Sequence, residues 1–280
     1  MPFRIAQESE VRGIVADESG VYWTAPSPGD LRRAAVDGTS VVTVYKGTGA
    51  PTLLATDDRY VFWTETGQGN VRAAEKSGDH GALAAEITGE PLVTAIATSA
   101  GKVFWHAKMS GEVKSATTAL GSVQVIGNVN QTVEQLAADS KNLYLAIGGA
   151  VNIVRRIDLM GGGTTDISPK VAELRSVATD GIRVYFSSGD TVPVVQSVTI
   201  NGTDLRSYGN AEKEPRTVAV DATHVYWANH GDGALRRALK GGGTAETIAT
   251  GLTQPIAITV NSRAIYWLTE PGDVMMLPKP

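Results

Sequence analysis

The sequence predicts an all-β fold, a seven-bladed β-propeller with four antiparallel strands in each blade, and three observations support that prediction. A two-residue apolar centre recurs seven times at a spacing of 40 to 42 residues. A turn-forming residue stands five positions before every centre. Several short apolar runs separated by turn residues fill each repeat, and a period of about 40 residues with this content is typical of a propeller blade.

The seven centres place at least one large side chain in the middle of each predicted blade. They are Tyr22-Trp23, Phe62-Trp63, Phe104-Trp105, Tyr144-Leu145, Tyr185-Phe186, Tyr226-Trp227 and Tyr266-Trp267, so the blades are centred on Trp23, Trp63, Trp105, Leu145, Phe186, Trp227 and Trp267. The turn-forming residues are Asp17, Asp57, Ser99, Asp139, Asp180, Asp221 and Asn261. Neighbouring residues of a strand point to opposite faces, so each pair is expected to fill the gaps on both sides of its blade.

The first repeat shows the predicted strands in order. Residues 11–17 are the inner strand, 20–25 the second and 30–36 the third. Asp37-Gly38 then forms a hairpin turn, because glycine accepts the positive φ of such a turn, and 41–46 form the outer strand. The sixth repeat follows the same plan with strands at 215–221, 224–229, 234–240 and 245–250.

The last repeat predicts how the propeller closes. It supplies strands at 255–261, 264–269 and 273–278 and lacks a fourth strand. The N-terminal segment 3–7 has the length and pattern of that missing outer strand, and pairing it there removes an open sheet edge. The seven repeats use nearly the whole chain, so residues 1–280 are predicted to form a single domain.

Composition excludes several classes of function. With 25 basic and 29 acidic side chains, the chain lacks the concentrated positive charge of a nucleic-acid-binding protein. The sequence contains no apolar run of about 18 residues, so no membrane span is predicted. The absence of cysteine excludes disulfides and thiolate metal sites. No signal peptide is predicted, because no basic segment followed by an apolar stretch occurs. A secreted or periplasmic location is weakly favoured for such a propeller, and the sequence leaves the compartment unknown.

The second strands resemble the YWTD-type repeats of lipoprotein-receptor propellers. The resemblance rests on Val21-Tyr22-Trp23-Thr24, Val61-Phe62-Trp63-Thr64-Glu65 and Val225-Tyr226-Trp227-Ala228-Asn229. It implies the propeller fold and little about function. Those receptor propellers have six blades where seven are counted here, and no repeat carries the Asp of the fourth motif position.

Three arginines occupy one register at the expected mouth, the end of the propeller formed by the loops between second and third strands and between blades. Arg12, Arg175 and Arg216 each stand five residues before a turn-former, where blade four has Glu134. Converging guanidinium groups can clamp a carboxylate, sulfate or phosphate. In the alternative interpretation, Glu134, Glu173, Glu214 and Glu270 neutralise these arginines as structural ion pairs.

The mouth loops contribute further candidate residues. Glu65, His106 and Asn229 are expected to face a ligand, and His230 and Glu270 occupy matching places on adjacent blades. That last arrangement is similar to the virginiamycin B lyases, seven-bladed propellers that use a His on one blade and Glu-x-His on the next with magnesium. Here Gly272 stands where the second His of that motif falls. No short-range cluster supplies three metal ligands, so no metal site and no cofactor is predicted, although the resemblance makes a divalent cation conceivable.

Two functions follow from these residues. The first is a binding module whose arginine-lined mouth takes a small anionic or carbohydrate-like ligand, or a protein. The alternative is an enzyme, a lyase or hydrolase, with His230 as base and Arg216 or Arg175 stabilising an anion. The enzyme requires His230, Glu270 and an arginine to converge on one small cavity, which distinguishes it from the binding module.

Overall fold

The computed structural model describes residues 1–47, 49–67, 69–77, 81–90, 92–189, 193–210 and 212–279. Every regular element in these residues is a β-strand, and 28 strands form seven four-stranded sheets. The predicted fold class, an all-β propeller with seven blades of four antiparallel strands, is therefore confirmed. The chain groups into two compact units, Met1–Asn130 with Thr259–Pro280 and Gln131–Ile258. That residues 1–280 form one domain stays a prediction.

In the first unit, sheets follow the order of the chain from inner to outer strand. The strands of blade one are β2 (Ile14–Asp17), β3 (Gly20–Ala25), β4 (Asp30–Ala34) and β5 (Val42–Lys46). Blade two contains β6 (Ala50–Thr56), β7 (Tyr60–Thr66), β8 (Asn70–Glu75) and β9 (Ala85–Ile87). Blade three contains β10 (Val93–Ser99), β11 (Lys102–Ala107), β12 (Glu112–Thr117) and β13 (Gln124–Asn128).

The last sheet joins the two ends of the chain. It contains β26 (Pro255–Val260), β27 (Ala264–Thr269), β28 (Asp273–Pro278) and β1 (Phe3–Gln7). Strand β1 pairs antiparallel with β28, and Arg4 forms an ion pair of 3.1 Å with Asp273 across them. The prediction that the N-terminal segment completes the last blade is confirmed.

The second unit contains three further sheets. Blade four has β14 (Thr132–Ala138), β15 (Asn142–Gly148), β16 (Ile153–Asp158) and β17 (Thr164–Asp166). Blade five has β18 (Leu174–Thr179), β19 (Arg183–Ser188), β20 (Val194–Thr199) and β21 (Arg206–Asn210). Blade six has β22 (Pro215–Val220), β23 (His224–Asn229), β24 (Ala234–Leu239) and β25 (Glu246–Ala249).

One predicted strand starts more than one residue away from its position in the structure. Strand β2 begins at Ile14, three residues later than expected. The reason is a local change of hydrogen-bond partner, because the backbone N–H of Gly13 donates to the hydroxyl of Thr24 instead of a carbonyl, at 2.8 Å. The hydroxyl in turn donates to the carbonyl of Thr52 on the next blade.

The aromatic centres form the core between blades. Tyr22 and Trp63 belong to one buried cluster of the first unit, and Phe62 and Trp105 belong to another. The same relation holds in the second unit, where Tyr185 and Trp227 share a cluster. The first aromatic residue of one blade therefore packs with the second aromatic residue of the next, and all these rings are essentially inaccessible to solvent.

The constant five-residue offset has a hydrogen-bonding cause. The Asp221 carboxylate accepts the backbone N–H groups of Thr223 and His224 at 2.8 and 2.7 Å, which closes the turn. Its second oxygen accepts the phenol of Tyr226 at 2.7 Å. Burial, and then this hydrogen bond, raise the pKa of Tyr226 far above its ordinary value, so the phenol remains a donor. Blades four and five repeat the arrangement with Asp139–Tyr144 and Asp180–Tyr185.

A buried carboxylate fastens the loop before the inner strand in three blades. The acidic residue stands nine positions before the turn-forming residue of its blade. Its carboxylate contacts an Arg or Lys on the third strand, which is paired in the sheet with the tryptophan of the second strand. In blade one, Glu8 accepts the indole N–H of Trp23 at 3.1 Å and lies 3.5 Å from Arg32. The other two carboxylates are Glu90, with Lys114 at 2.8 Å, and Glu212, with Arg236 at 2.6 Å. We call these contacts carboxylate anchors.

Removing the N-terminal strand tests the closure. Deleting residues 1–7 leaves β28 as an open edge and removes a four-pair ladder. We expect the free energy of unfolding to fall by about 2–5 kcal/mol, since each backbone hydrogen bond contributes roughly 0.5–1.5 kcal/mol. Urea denaturation followed by tryptophan fluorescence measures the change. Deleting only residues 1–2, which precede β1, is the control, and equal stability of the two truncated chains would contradict the closure.

Candidate functional site

In the second unit, the inner strand of every blade contains a β-bulge at the register of the predicted site. One residue of each inner strand has no partner on the second strand. These unpaired residues are Glu134, Arg175 and Arg216. A bulge inserts one extra residue and re-aims its side chain, and bulges are common next to functional sites. The register that the sequence singled out is thus a structural irregularity repeated from blade to blade.

Each of the two arginines pairs with a glutamate two residues before it. Arg175 donates to Glu173 at 2.8 Å, and Arg216 donates to Glu214 at 2.8 Å. Both glutamates adopt a left-handed backbone, with φ of 51° and 57°. This conformation is uncommon outside glycine, and here it occurs directly before the first residue of the inner strand.

The Glu214 carboxylate collects the polar side chains of two blades. One oxygen lies 2.8 Å from Arg216 and 3.7 Å from Arg175. The other lies 3.0 Å from Nδ1 of His230, whose backbone N–H also donates to the Glu214 carbonyl at 3.1 Å. The structure thus brings together Glu173, Arg175, Glu214, Arg216 and His230, which we call the arginine cluster.

Electrostatics keep Glu214 ionised. Partial burial raises the pKa of its carboxyl, but the hydrogen bond from His230 and the charges of Arg216, His230 and Arg175 outweigh burial. The net result is a pKa below the ordinary value of 4.5. With two arginines and two glutamates, the cluster is neutral when His230 is neutral and carries one positive charge when His230 is protonated.

The cluster packs closely against the end of β19. A Cβ atom at Gly189 would lie 2.6 Å from Nε of Arg175 and 2.6 Å from Oε2 of Glu173. Any larger residue there would displace this ion pair. Gly189 is therefore part of the scaffold that holds the Arg175 guanidinium in place.

The other arginine and the blade-four glutamate have different surroundings. In the first unit, Arg12 pairs with Glu10 at 2.5 Å, and its side chain is 61% exposed. Glu134 lies beside Gly148, whose Cβ would meet its carboxylate at 2.5 Å. Within the described part of the chain, Glu134 shows no ion pair, whereas Glu173 and Glu214 pair with arginines as the alternative interpretation proposed.

Three predicted ligand residues have side chains buried by structural contacts. His106 is inaccessible, with Nδ1 2.7 Å from the Thr94 hydroxyl and Nε2 3.1 Å from the Val129 carbonyl. Burial lowers the pKa of His106 below its ordinary value. Glu65 is 3% exposed and pairs with Arg72 at 2.7 Å. Direct contact of either residue with a ligand stays a prediction.

Asn229 is the third buried residue. It is inaccessible and donates to the Glu212 carboxylate at 2.6 Å. It is also the last residue of β23, immediately before His230. Direct contact of Asn229 with a ligand stays a prediction.

Glu270 follows β27 in the first unit and is exposed. His230 belongs to the second unit, and that the two share a site stays a prediction. Gly272 has a φ of 96°, and a Cβ there would lie 2.1 Å from the Glu8 carbonyl. The histidine of the lyase motif therefore does not fit at this position. No group of three or more His, Asp or Glu side chains suited to a metal ion occurs among the described residues.

A cavity of about 310 Å³ lies elsewhere, at the turns of blades one and two. It is lined by Asp17, Glu18, Ser19, Thr56, Asp57, Asp58 and Lys76. Lys76 is 8% exposed and contacts the Asp17 carboxylate and the Asp57 carbonyl. Lys240 bridges to Asp180 in the same way at 2.8 Å in the second unit. These lysines join neighbouring blades, and a role in stability explains them.

Sequence reasoning missed Glu10 and Glu212. The signal for Glu10 was the pattern Glu-x-Arg, which recurs at Glu10–Arg12, Glu173–Arg175 and Glu214–Arg216. The signal for Glu212 was its position, because the carboxylate anchors recur nine residues before the turn-forming residue. The approach of Arg175 to Glu214 had no such signal, since these residues come from different repeats, and neither had the contact of His230 with Glu214, which lie 16 residues apart.

Comparisons with known proteins place the fold. No protein-family model matches the chain, and no curated protein matches its sequence. Virginiamycin B lyase from Staphylococcus aureus has a similar structure, with a TM-score of 0.80 and 14% identity over 100% of this chain and 99% of that chain. A streptogramin B lyase gives 0.79 and 13%, covering 100% and 98%. The WD40 propeller domain of Doa1 gives 0.76 and 15%, covering 97% and 93%.

These likenesses show a propeller fold, which hosts both lyases and WD40 domains, and no particular activity. The described residues include no helix long and apolar enough to cross a membrane.

Acidic unfolding tests the charge state of Glu214. Its depressed pKa means that its ionised form stabilises the protein above pH 4.5, and that this stabilisation is lost as pH falls through the lowered value. Glu214→Gln should be less stable than the parent by roughly 1–2 kcal/mol at pH 7. The difference should shrink below about pH 4. Denaturant unfolding at several pH values measures it.

Glu246→Gln, which removes the partner of Arg237 from an exposed ion pair, is the control and should change stability by less than about 1 kcal/mol. A difference for Glu214→Gln that stays constant from pH 7 to pH 3 would show that the carboxylate charge is irrelevant.

Proposed function

We propose that this protein is a ligand-binding propeller and that the arginine cluster takes a small anionic or carbohydrate-like ligand. One observation carries the proposal: two guanidinium groups and an imidazole converge on a single carboxylate that is 37% exposed. Such convergence of cations is the arrangement by which proteins recognise carboxylates and phosphates.

The arginines have donors to spare. A guanidinium carries five N–H donors. Among the described residues, Arg216 donates one hydrogen bond, to Glu214, and Arg175 donates one, to Glu173. The Nε atoms of both arginines are buried without an acceptor in that part of the chain. A ligand oxygen could use the remaining exposed donors without breaking the existing ion pairs.

The glutamates restrict the ligand. A large polyanion would face the charges of Glu173 and Glu214, so the proposal favours a ligand with one anionic group. Ligand hydroxyls could donate to these carboxylates while the anion binds the arginines. A sugar acid combines both features.

Substitution of Arg216 tests the site. Arg216→Ala removes one of the two converging guanidinium groups, and we expect ligand affinity to fall at least about tenfold, the equivalent of 1.4 kcal/mol. A thermal-shift panel of sulfate, phosphate, acetate, citrate, glucuronate and neutral sugars identifies the ligand class, and calorimetry gives the dissociation constants.

Arg155→Ala is the matched control, because Arg155 also lies in the second unit and forms one partly exposed ion pair, with Asp166 at 2.6 Å. It should leave affinity unchanged. The proposal fails if no compound shifts the melting temperature, or if both variants bind as the parent does.

A second candidate function is an enzyme that acts at the same cluster. The observation in its favour is the orientation of His230, whose Nδ1 and backbone N–H both contact Glu214. A carboxylate that contacts one ring nitrogen holds the imidazole in one orientation and favours one tautomer, as in general-base catalysis. The adjacent arginines would stabilise an anion formed in a lyase or hydrolase reaction.

Replacing the imidazole separates the two functions. His230→Ala should lower turnover of a substrate identified by screening about 100-fold or more if His230 is the base, because general-base catalysis contributes about 10²–10⁴-fold. His224→Ala is the control, since in the described part of the chain its Nδ1 contacts the neighbouring Thr223 hydroxyl at 2.7 Å. Equal turnover by both variants and the parent would retire the enzymatic function.

A further inference from the structure

Glu212 lies at the centre of the polar contacts beneath the arginine cluster. Its side chain is 2% exposed, and one carboxylate oxygen accepts three hydrogen bonds. The donors are the Trp227 indole at 2.9 Å, the Asn229 amide at 2.6 Å and Arg236 at 2.6 Å. Its other oxygen is confined, because a Cβ at Gly209 would lie 2.3 Å from it. A buried carboxylate held by this many donors has little freedom to move.

Glu214 and His230 are each connected to this carboxylate, one along the chain and the other through Asn229. Glu214 follows it by two residues, and His230 directly follows its partner Asn229. Backbone bonds continue the connection, with the His230 N–H donating to the Glu214 carbonyl at 3.1 Å and the Gly231 N–H to the Lys213 carbonyl at 2.9 Å. The loop that carries Glu214 and the strand end that carries His230 are therefore both tied to Glu212.

We propose that Glu212 is a positioning residue for the His230–Glu214 pair, an inference that rests on the proposed function of the arginine cluster. Glu212 does not contact the ligand. It sets the distance between the imidazole and the Glu214 carboxylate, and so fixes which ring nitrogen carries the proton. Partners of this kind, one contact removed from a site, commonly change affinity by 10- to 100-fold when they are replaced.

The other carboxylate anchors separate this role from stability alone. Glu90 occupies the same position in blade three and binds Lys114 at 2.8 and 3.0 Å. Two residues later that blade has Leu92, where blade six has Glu214. Loss of the Glu90 anchor therefore costs stability without a neighbouring histidine–carboxylate pair to disturb, which makes Glu90→Gln a matched control for Glu212→Gln.

The experiment compares the parent, Glu212→Gln, Glu90→Gln and Asn229→Ala by three measurements. Denaturant unfolding gives stability. The ¹⁵N signals of the His230 ring, assigned by comparison with His230→Ala, report its tautomer. Calorimetry with sodium sulfate and with sodium glucuronate gives anion affinity. Asn229→Ala keeps the charge of Glu212 and its bonds to Trp227 and Arg236, so it remains informative if Glu212→Gln fails to fold.

We expect both Gln variants to lose stability. Only Glu212→Gln and Asn229→Ala should show averaged ring ¹⁵N signals for His230 in place of one tautomer, and about tenfold weaker anion binding. Unchanged His230 signals in Glu212→Gln and Asn229→Ala would overturn the inference and leave Glu212 a stability residue only. If the parent binds neither anion, the proposed function loses its support, and the ring signals alone decide the role of Glu212.

Discussion

Within each unit, the packing of one blade's second aromatic residue against the first aromatic residue of the preceding blade organises the core. Tyr22 with Trp63 and Tyr185 with Trp227 show the pattern in the two units. Aromatic rings bury a large apolar area, so a blade that lacked its pair would leave its neighbour's core exposed. This packing also explains the regular period, because the two aromatic residues must occupy matching positions on the second strands of adjacent blades. The phenol then finds its turn aspartate five residues earlier, which links core packing to turn geometry.

The site depends on the same framework through polar contacts. In blade six, Trp227 packs in the apolar core and its indole N–H donates a hydrogen bond to the buried carboxylate of Glu212. That carboxylate fastens a loop whose next acidic residue, Glu214, collects Arg175, Arg216 and His230. A polar cluster built from bulged residues and loop ends thus rests on a buried strand, an arrangement that allows one blade to vary in chemistry while its core remains constant.

Sequence reasoning succeeded where one repeat can be compared with another. Strand bounds in blades six and seven agree with the structure to within about two residues, and segment 3–7 forms the expected outer strand. Reasoning from loop position was weaker for His106, Glu65 and Asn229. They stand at the predicted end of the blade, yet their side chains turn inward to buried partners. Strand register gives the position of a Cα atom, whereas the partner of a polar side chain depends on the loops packed over it.

The sequence by itself determined the number of blades, the strands of each blade and the closing role of the N-terminal segment. These features follow from local periodicity, which each repeat restates. Only the tertiary structure decided which charges meet. The left-handed backbone of Glu173 and Glu214 and the bulges at Arg175 and Arg216 aim side chains from neighbouring blades at one point. The physical reason is that an ion pair forms between groups close in space, and the pair that joins the two blades, Arg175 with Glu214, links residues about 40 positions apart in the chain.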